Sequence, residues 1–388
     1  MSHTITRIFH PVGQGAFYSE RHNVDGQKFN IVYDCGNYGN IVKVRPIVQK
    51  EFNDGEQIDA LFLSHFDTDH VSLIKDLNPY HSRIRNVILP LLSDAMRMAL
   101  SGYYYSTADK RGRSGLQTAL EILETPDKVF KESALMFVRP DESDHAYLER
   151  ETRTLINSGE DVLPHVKNGC ASALSAADWT LIPFNYDWQI RSQQLVKVLH
   201  VWLTAIGGRM ENLCDPKFIA KWRGDLKQIY KGNISALCAK YRPYMLLFQN
   251  AGKIKGNINE NSMVLYSGPT RENSNKYVIN DAGESVDVCP GCLYTGDYDL
   301  KQQSLNRVYA KYLNKVGTVQ IPHHGAESSF CAANIPIRDR ICPVSYGVGN
   351  GYDHPCDLVM DAIRNDHGTR RDVTDNPISL FCQQIRRA

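Results

Sequence analysis

Residues 65–70 read His-Phe-Asp-Thr-Asp-His and place four potential metal ligands directly after a short apolar run. Divalent ions need several fixed donors, and a loop at the end of a rigid strand can aim alternate side chains at two neighbouring ions. In the alternative interpretation, the segment is a surface loop whose carboxylates cap the following helix. Capping does not account for Asp297 or for the pair His323 and His324, which lie beside two other apolar runs. We therefore expect these residues to form a metal site.

Short apolar runs that stop at clusters of polar residues and glycine predict buried strands. If the strands of one sheet run in the same direction, their polar ends gather at one edge, where the sites of open α/β sheets usually lie. The sequence therefore predicts an α/β fold in which dispersed ligands converge. The runs are residues 29–33, 60–64, 292–295, 316–321 and 341–346.

The strand pattern gives way to segments that predict helices between about residues 93 and 255. The clearest of these segments are residues 191–206 and 216–241. We expect a single domain over residues 1–388, with a largely helical subdomain inserted at about 93–255.

The predicted insertion contains a run of tyrosines followed by a cluster of basic residues. Tyrosine rings can stack on bases, and basic side chains can neutralise phosphates, as in surfaces that bind single strands. More often, a tyrosine run is partly core and a charge run is a solvated face. The candidates for nucleic-acid binding are Tyr103, Tyr104, Tyr105, Lys110, Arg111 and Arg113.

The order and strand context of these motifs resemble the metallo-β-lactamase superfamily, most closely the hydrolase domain of the bacterial competence channel ComEC. The resemblance covers the two ends of the chain and leaves the insertion unexplained. The motifs that carry it are Val12-Gly13-Gln14-Gly15, Asp34-Cys35-Gly36, residues 64–70, residues 261–265, Tyr294-Thr295-Gly296-Asp297, Pro322-His323-His324-Gly325 and residues 350–355.

This resemblance implies an αββα four-layer sandwich with two metal ions at one edge between the sheets. It also implies that Asp297 bridges the ions. Further possible contacts to metal or substrate are His324 and Asp34. The implied ligands are His65 and Asp67 for the first ion, and Asp69, His70 and His323 for the second.

The sequence departs from the superfamily just before Asp297. The superfamily usually has a histidine there, whereas residues 257–262 contain none. Asn259 or Asn261 could donate an amide oxygen instead, or the first ion is held more loosely. Because carboxylate and amide oxygens suit manganese or magnesium better than zinc, we favour Mn²⁺ over Zn²⁺ or Mg²⁺.

Two divalent ions can lower the pKa of a water between them to make hydroxide, and can stabilise both the attacking and the leaving oxygen of a phosphodiester. We expect Asp69 or Asp297 to orient that water. His354 could contact the scissile phosphate or protonate the leaving group, or it could simply order the proline-terminated loop around it. Because ComEC-type domains are regarded as DNA nucleases, the resemblance implies a nuclease or phosphodiesterase that cleaves DNA or RNA.

Two other functions fit the same residues. One is a hydrolase of a small phosphoester, a cyclic nucleotide or a lactone, since one scaffold hosts many reactions. The other is a non-catalytic partner protein in a multi-component system, which would require a degenerate site.

The composition of the chain bears on its binding partners and its location in the cell. The 44 basic and 43 acidic residues nearly cancel, so any surface that binds a polyanion must be local. No apolar run is long enough to span a membrane, and the N-terminus lacks a secretory signal, so we expect a cytoplasmic protein with reduced cysteines. A protein partner from a defence or DNA-processing system is possible, and nothing in the sequence specifies an oligomeric state.

Overall fold

The structure is a computed structural model. It describes residues 1–39, 41–79, 82–107, 113–141, 154–186, 189–252, 262–271, 277–281, 284–286 and 288–387. The strands in this part of the chain are β1 (His3–Phe9), β2 (Phe17–Val24), β3 (Gln27–Cys35), β4 (Ala60–Phe62), β5 (Asn86–Pro90), β6 (Ala134–Val138), β7 (Thr154–Ile156), β8 (Trp179–Phe184), β9 (Val264–Pro269), β10 (Tyr277–Asp281), β11 (Glu284–Val286), β12 (Gly291–Tyr294), β13 (Val316–Val319), β14 (Ile341–Ser345), β15 (Thr369–Val373) and β16 (Phe381–Arg387).

The α-helices lie between and after these strands. They are α1 (Ile41–Glu51), α2 (Thr68–Val71), α3 (Ile74–Leu77), α4 (Asp94–Thr107), α5 (Arg113–Glu124), α6 (Pro126–Val129), α7 (Gly169–Ala176), α8 (Gln189–Ile206), α9 (Pro216–Tyr230), α10 (Ile234–Lys240), α11 (Met245–Ala251), α12 (Leu305–Val308) and α13 (Asp357–Asn365). None of the helices described is both long and apolar enough to cross a membrane.

The strands form two sheets. The first has the order β11-β10-β16-β1-β2-β3-β4-β5-β6-β7, and the second has the order β15-β14-β13-β12-β9-β8. Strands β3 to β7 are parallel in the first sheet, and β12 to β15 are parallel in the second. All five predicted strands are present, and the α/β class is confirmed.

One buried cluster joins residues from both sheets. Phe62 of the first sheet belongs to it, and the rings of Tyr33 and Tyr294, one from each sheet, lie 5.2 Å apart. Leu61 belongs to a second cluster, which includes residues of the helices. Because successive side chains of a strand point to opposite faces, the sheets pack face to face and helices cover the outer face of the first sheet.

The outer face of the second sheet is covered in the same way. Leu293 and Val319 lie in a third buried cluster together with Ile363 of α13. The inner and outer faces of both sheets are therefore apolar, which explains why their strands read as nearly continuous hydrophobic runs rather than as alternating ones.

A network of charged and polar side chains interrupts the apolar layer between the sheets. The Arg7 Nε donates to Glu20 Oε1 at 2.7 Å, and its Nη1 donates to Gln383 at 3.0 Å. His22 Nε2 and Ser267 Oγ lie 2.9 and 2.6 Å from Glu20 Oε2. Burial alone would raise the pKa of Glu20, but Arg7 and His22 hold it well below its usual value. The network is thus a paired, hydrogen-bonded unit.

The span predicted as a largely helical insertion, about residues 93–255, contains strands as well as helices. Strands β6, β7 and β8 lie within this span and extend both sheets. Residues 134–138 and 179–184 are apolar runs like those of the other strands, and Pro183 is tolerated because β8 is an edge strand. The remaining helices, among them α4, α5, α8 and α9, pack together against the first sheet.

The predicted helix over residues 216–241 is also divided. Gly232, with a φ of 68°, lies between α9 and α10. A backbone in this left-handed region cannot continue a right-handed helix, so the chain turns there.

Candidate metal centre

The candidate site lies where strand ends of both sheets meet. His65 follows β4 and Asp34 lies near the end of β3 in the first sheet, while Asp297 follows β12 in the second. The pair 323–324 follows β13, and His354 follows β14. Since β3 and β4 are parallel, as are β12, β13 and β14, these residues leave their strands at the same edge.

Asp297 faces histidines on two sides. Its Oδ1 is 3.1 Å from His70 Nε2. Its Oδ2 is 3.8 Å from His65 Nε2 and 3.7 Å from His323 Nε2. The two oxygens of one buried carboxylate therefore point at two different groups of nitrogen donors.

The group near Oδ1 is the more compact. Asp69, His70, Asp297 and His324 each offer one ligand atom, and these four atoms lie within 4.8 Å of one another. Asp69 Oδ2 is 3.1 Å from His324 Nε2 and 4.0 Å from His70 Nε2. This group contains His324, whereas the resemblance implied His323 at this position.

The group near Oδ2 contains His65, Asp67 and His323. Asp67 Oδ2 is 4.0 Å from His65 Nε2. Its other oxygen, Oδ1, accepts a 2.7 Å hydrogen bond from the Tyr104 hydroxyl. The structure therefore brings together all six residues predicted to bind metal, and with them His324, which was predicted as a possible contact to metal or substrate.

Several atoms in this centre are buried without a hydrogen-bond partner: His65 Nε2, His70 Nε2 and Asp297 Oδ1. Buried polar atoms in proteins are nearly always satisfied, and leaving one unpaired costs about 1–3 kcal/mol. Imidazole nitrogens and carboxylate oxygens facing a common point are the donors that divalent transition metals use. The residues of the centre therefore fit a bound cation.

Hydrogen-bond partners at Nδ1 orient four histidines of the centre. Each has its Nδ1 beside a hydrogen-bond partner, so each presents Nε2 to the interior of the site. Such partners fix the tautomer and the ring orientation of metal-binding histidines. The pairs are His65 with Ser64 Oγ at 2.9 Å, His70 with Asp34 Oδ2 at 2.8 Å, His323 with Ser329 Oγ at 2.7 Å, and His324 with the Ser345 carbonyl at 2.8 Å.

Asp34 was predicted as a possible contact to metal or substrate, and the structure gives it a different role. It is fully buried and accepts hydrogen bonds from the backbone N–H and the hydroxyl of Ser64, at 2.7 and 2.6 Å, and from His70. Burial raises the pKa of Asp34. With its oxygens used in this way, Asp34 positions His70 and Ser64 and does not face the centre.

The pKa values of the residues in the centre are shifted in both directions. Burial and the charge of His70 lower the pKa of His65 to about 3, so this imidazole is neutral. Burial would also lower the pKa of His70, but Asp297 and Asp34 raise it well above the usual value. Burial and the charge of Asp69 raise the pKa of Asp67 to about 8. Without a cation, the centre thus retains protons that a cation would displace.

His354 lies beside the histidine pair. Its ring centroid is 5.7 Å from that of His323, and its Nδ1 is buried without a hydrogen-bond partner. Burial and the charge of His323 lower the pKa of His354 to about 4. Asn350 donates to its carbonyl at 2.5 Å, which holds the loop that carries it.

Two glycines of the N-terminal motifs explain how the ligand loop is placed. A Cβ on Gly15 would lie 2.4 Å from the Gly36 carbonyl oxygen, and one on Gly36 would lie 2.5 Å from the Asp69 carbonyl carbon. The Ala16 N–H donates to the Asp69 carbonyl at 3.1 Å. Only glycine permits this close approach of three backbone segments.

Of the six candidates for nucleic-acid binding, the structure describes the side chains of the three tyrosines. Tyr104 is buried and its hydroxyl donates to Asp67, which agrees with the alternative that the tyrosine run is partly core and leaves this ring unable to stack on bases. Tyr103 and Tyr105 are partly buried against the same core. Outside the described residues lie Asn259, Asn261, Lys110, Arg111 and the side chain of Arg113, whose backbone begins α5.

Sequence reasoning missed the residues that support the ligands. Tyr104 comes from a helix 37 positions beyond Asp67, and nothing in the sequence links the two. Ser64 and Ser262 belong to the sequence motifs but are not candidate ligands, and the Asp297 N–H donates to Ser262 Oγ at 3.1 Å. The one signal in the sequence for such a supporting residue was the position of Ser64 directly before the candidate ligand His65.

The chain matches no protein-family model and no curated protein.

Proposed function

We propose that this chain is a hydrolase of the metallo-β-lactamase fold that binds two divalent metal ions and cleaves phosphodiester bonds. The fold part of the proposal is supported by the two face-to-face sheets, by the helices on their outer faces and by the position of the ligands at one edge. The observation that carries the functional part is that the two oxygens of Asp297 face separate groups of histidines.

In this proposal, His65, Asp67 and His323 would hold the first ion, while Asp69, His70 and His324 would hold the second. Asp297 would bridge them. The assignment differs from that implied by the resemblance, because His323 and His324 go to different ions. His323 then takes the place that Asn259 or Asn261 was expected to fill. Mixed imidazole and carboxylate donors suit Mn²⁺ and Zn²⁺ better than Mg²⁺.

Two ions bound here would lower the pKa of a nearby water and balance the charge of a phosphodiester. The protein's own residues would do the rest. Asp69 and Asp297, whose pKa values are held low by the histidines despite burial, would accept a hydrogen bond from that water. His354 is neutral at pH 7, and contact with an anionic phosphate would raise its pKa and let it protonate the leaving oxygen.

A phosphodiester within DNA or RNA is the substrate that we propose first, on the strength of the sequence motifs. A small phosphodiester or cyclic nucleotide is the second candidate. It is favoured by the nearly balanced charge of 44 basic and 43 acidic residues and by the burial of Tyr104, which removes one ring from the expected stacking surface.

The test is a set of cleavage assays with single-stranded and duplex DNA and RNA, and with a small chromogenic phosphodiester. Each assay is run with Mn²⁺, Zn²⁺ or Mg²⁺. We expect cleavage of nucleic acid that is lost in Asp297→Asn and retained in Asp361→Asn, an exposed carboxylate on α13. Turnover of the small diester alone would favour the second candidate. A chain that holds no metal after gentle purification would refute the proposal and favour a non-catalytic partner protein.

A further inference from the structure

The Tyr104 side chain connects the helices to the candidate metal centre. It extends from α4, is only 4% exposed, and its hydroxyl donates to Asp67 Oδ1 at 2.7 Å. The other oxygen of the same carboxylate, Oδ2, is the one that faces His65. The hydrogen bond therefore fixes which oxygen of Asp67 is turned toward the interior of the centre.

Helix α4 is itself held in place by α9. The Tyr230 hydroxyl donates to the Ala99 carbonyl at 2.7 Å, and a Cβ on Gly102 would lie 2.7 Å from that hydroxyl oxygen. The rings of Tyr103 and Tyr230 are 5.3 Å apart at their centroids. Because α4 is anchored on both its backbone and its side chains, the Tyr104 hydroxyl has little freedom to follow a moving Asp67.

We infer that Tyr104 is a positioning residue, which holds Asp67 so that a single oxygen, Oδ2, serves the first metal ion. This inference rests on the proposed two-ion centre. A carboxylate that is free to rotate can bind an ion through either oxygen or through both, and it loses that freedom on binding. Hydrogen-bond partners of metal-binding carboxylates remove this freedom in advance, and losing one commonly weakens metal binding by about 10–100-fold.

The test measures metal affinity rather than turnover. Metal-free wild-type protein and Tyr104→Phe are titrated with Mn²⁺ by calorimetry, and bound metal is counted by elemental analysis. The substitution removes only the hydroxyl and leaves the ring in its packed position. We expect one of the two affinities to fall by about 10–100-fold, with the other unchanged. Tyr105→Phe, which removes a hydroxyl from the neighbouring position of α4, should leave both affinities unchanged.

A double-mutant cycle separates positioning from a general structural effect. If Tyr104 acts through Asp67, then Tyr104→Phe should weaken metal binding no further in an Asp67→Ala background. An additive loss in that background, or unchanged affinities in Tyr104→Phe alone, would overturn the inference. A wild-type chain that binds no ion would refute the two-ion proposal and this inference together. A wild-type chain that binds two ions yet cleaves no phosphodiester would refute only the proposed activity.

Discussion

Replacing Asp34 by asparagine tests how the second ion's histidine is prepared for binding. In the native centre, Asp34 Oδ2 accepts from His70 Nδ1–H, so a cation that displaces the second ring proton would meet the lone pair of Nε2, which faces Asp297 and Asp69. In Asp34→Asn, the amide oxygen can keep the bond from the Ser64 N–H, but the amide NH₂ then faces His70 Nδ1. That nitrogen must now accept, so Nδ1 loses its proton and the remaining ring proton lies on Nε2, where it blocks the metal-facing atom.

The size of the effect follows from the hydrogen bond that must be broken. To bind an ion through Nε2, His70 in the variant must carry its proton on Nδ1. There the proton faces the amide NH₂ of residue 34, and the charge-assisted hydrogen bond that the native carboxylate accepts is missing. Such bonds contribute about 1.5–3 kcal/mol, which corresponds to roughly 10–150-fold in affinity. We therefore expect the affinity for one of the two ions to fall by about that factor. The variant should still fold, because the neutral amide leaves no unpaired charge at position 34 and His70 can change its protonation to match.

Two measurements check this prediction. Calorimetric titration with Mn²⁺ gives the affinities, and ¹⁵N NMR of the His70 ring in the metal-free protein shows whether Nδ1 carries a proton. Asp59→Asn is the matched control, since Asp59 is also a buried acceptor next to β4, bonded to the Asn30 N–H at 2.8 Å, but lies at the opposite end of the strand. A variant at Asp34 that binds both ions normally, or keeps the proton on Nδ1, would show that the reasoning is wrong.

Three further predictions concern the histidine pair, the buried network and acid stability. His323→Ala and His324→Ala should each reduce bound metal from two ions toward one while preserving the fold; elemental analysis that finds both ions in either variant would contradict the assignment of the two residues to different ions. Arg7→Met should destabilise the protein by about 3–5 kcal/mol, measured by urea unfolding, because it leaves the Glu20 carboxylate buried without its main partner; a loss under about 1 kcal/mol would mean that the other partners suffice. Burial lowers the pKa of His10 to about 3, so between about pH 6.5 and that value the unfolded chain binds more protons and stability falls as the pH falls. His10→Gln should reduce proton uptake on unfolding in this window by about one, and an unchanged pH slope would count against the depressed pKa.

The parts of the fold that sequence reasoning found share one property. Each predicted strand is a continuous apolar run whose end carries several polar residues, so both the strand and its contribution to the site were visible locally. Strands β6 and β8 have the same apolar character but end in no cluster of ligands, and they lie among segments with a helical pattern. Their membership in the sheets is decided by tertiary pairing, which local sequence does not record.

Within the site, too, some features are visible in the local sequence and others depend on tertiary contacts. Four candidate ligands lie within the six residues 65–70, and Asp297 follows a strand, so both features were accessible from the sequence. The different directions of His323 and His324 were not, because they depend on left-handed backbone angles, with φ of 50° and 56°. Most residues avoid this region, and nothing in a His-His pair predicts it. The roles of Asp34 and Tyr104 depend on contacts that only the folded chain creates.

The position of β16 has a consequence for the order in which the protein folds. Strand β1 pairs with β2 on one side and with β16 on the other, and the Thr6 hydroxyl donates to Gln384, 378 positions away along the chain. The β1–β2 hairpin can form as soon as it is synthesised, whereas the second edge of β1 stays open until β16 has been made. Contacts of such long range form slowly, and an open edge can pair with another chain. Until β16 has been made, β1 therefore presents an unpaired edge to which a strand of another chain can add.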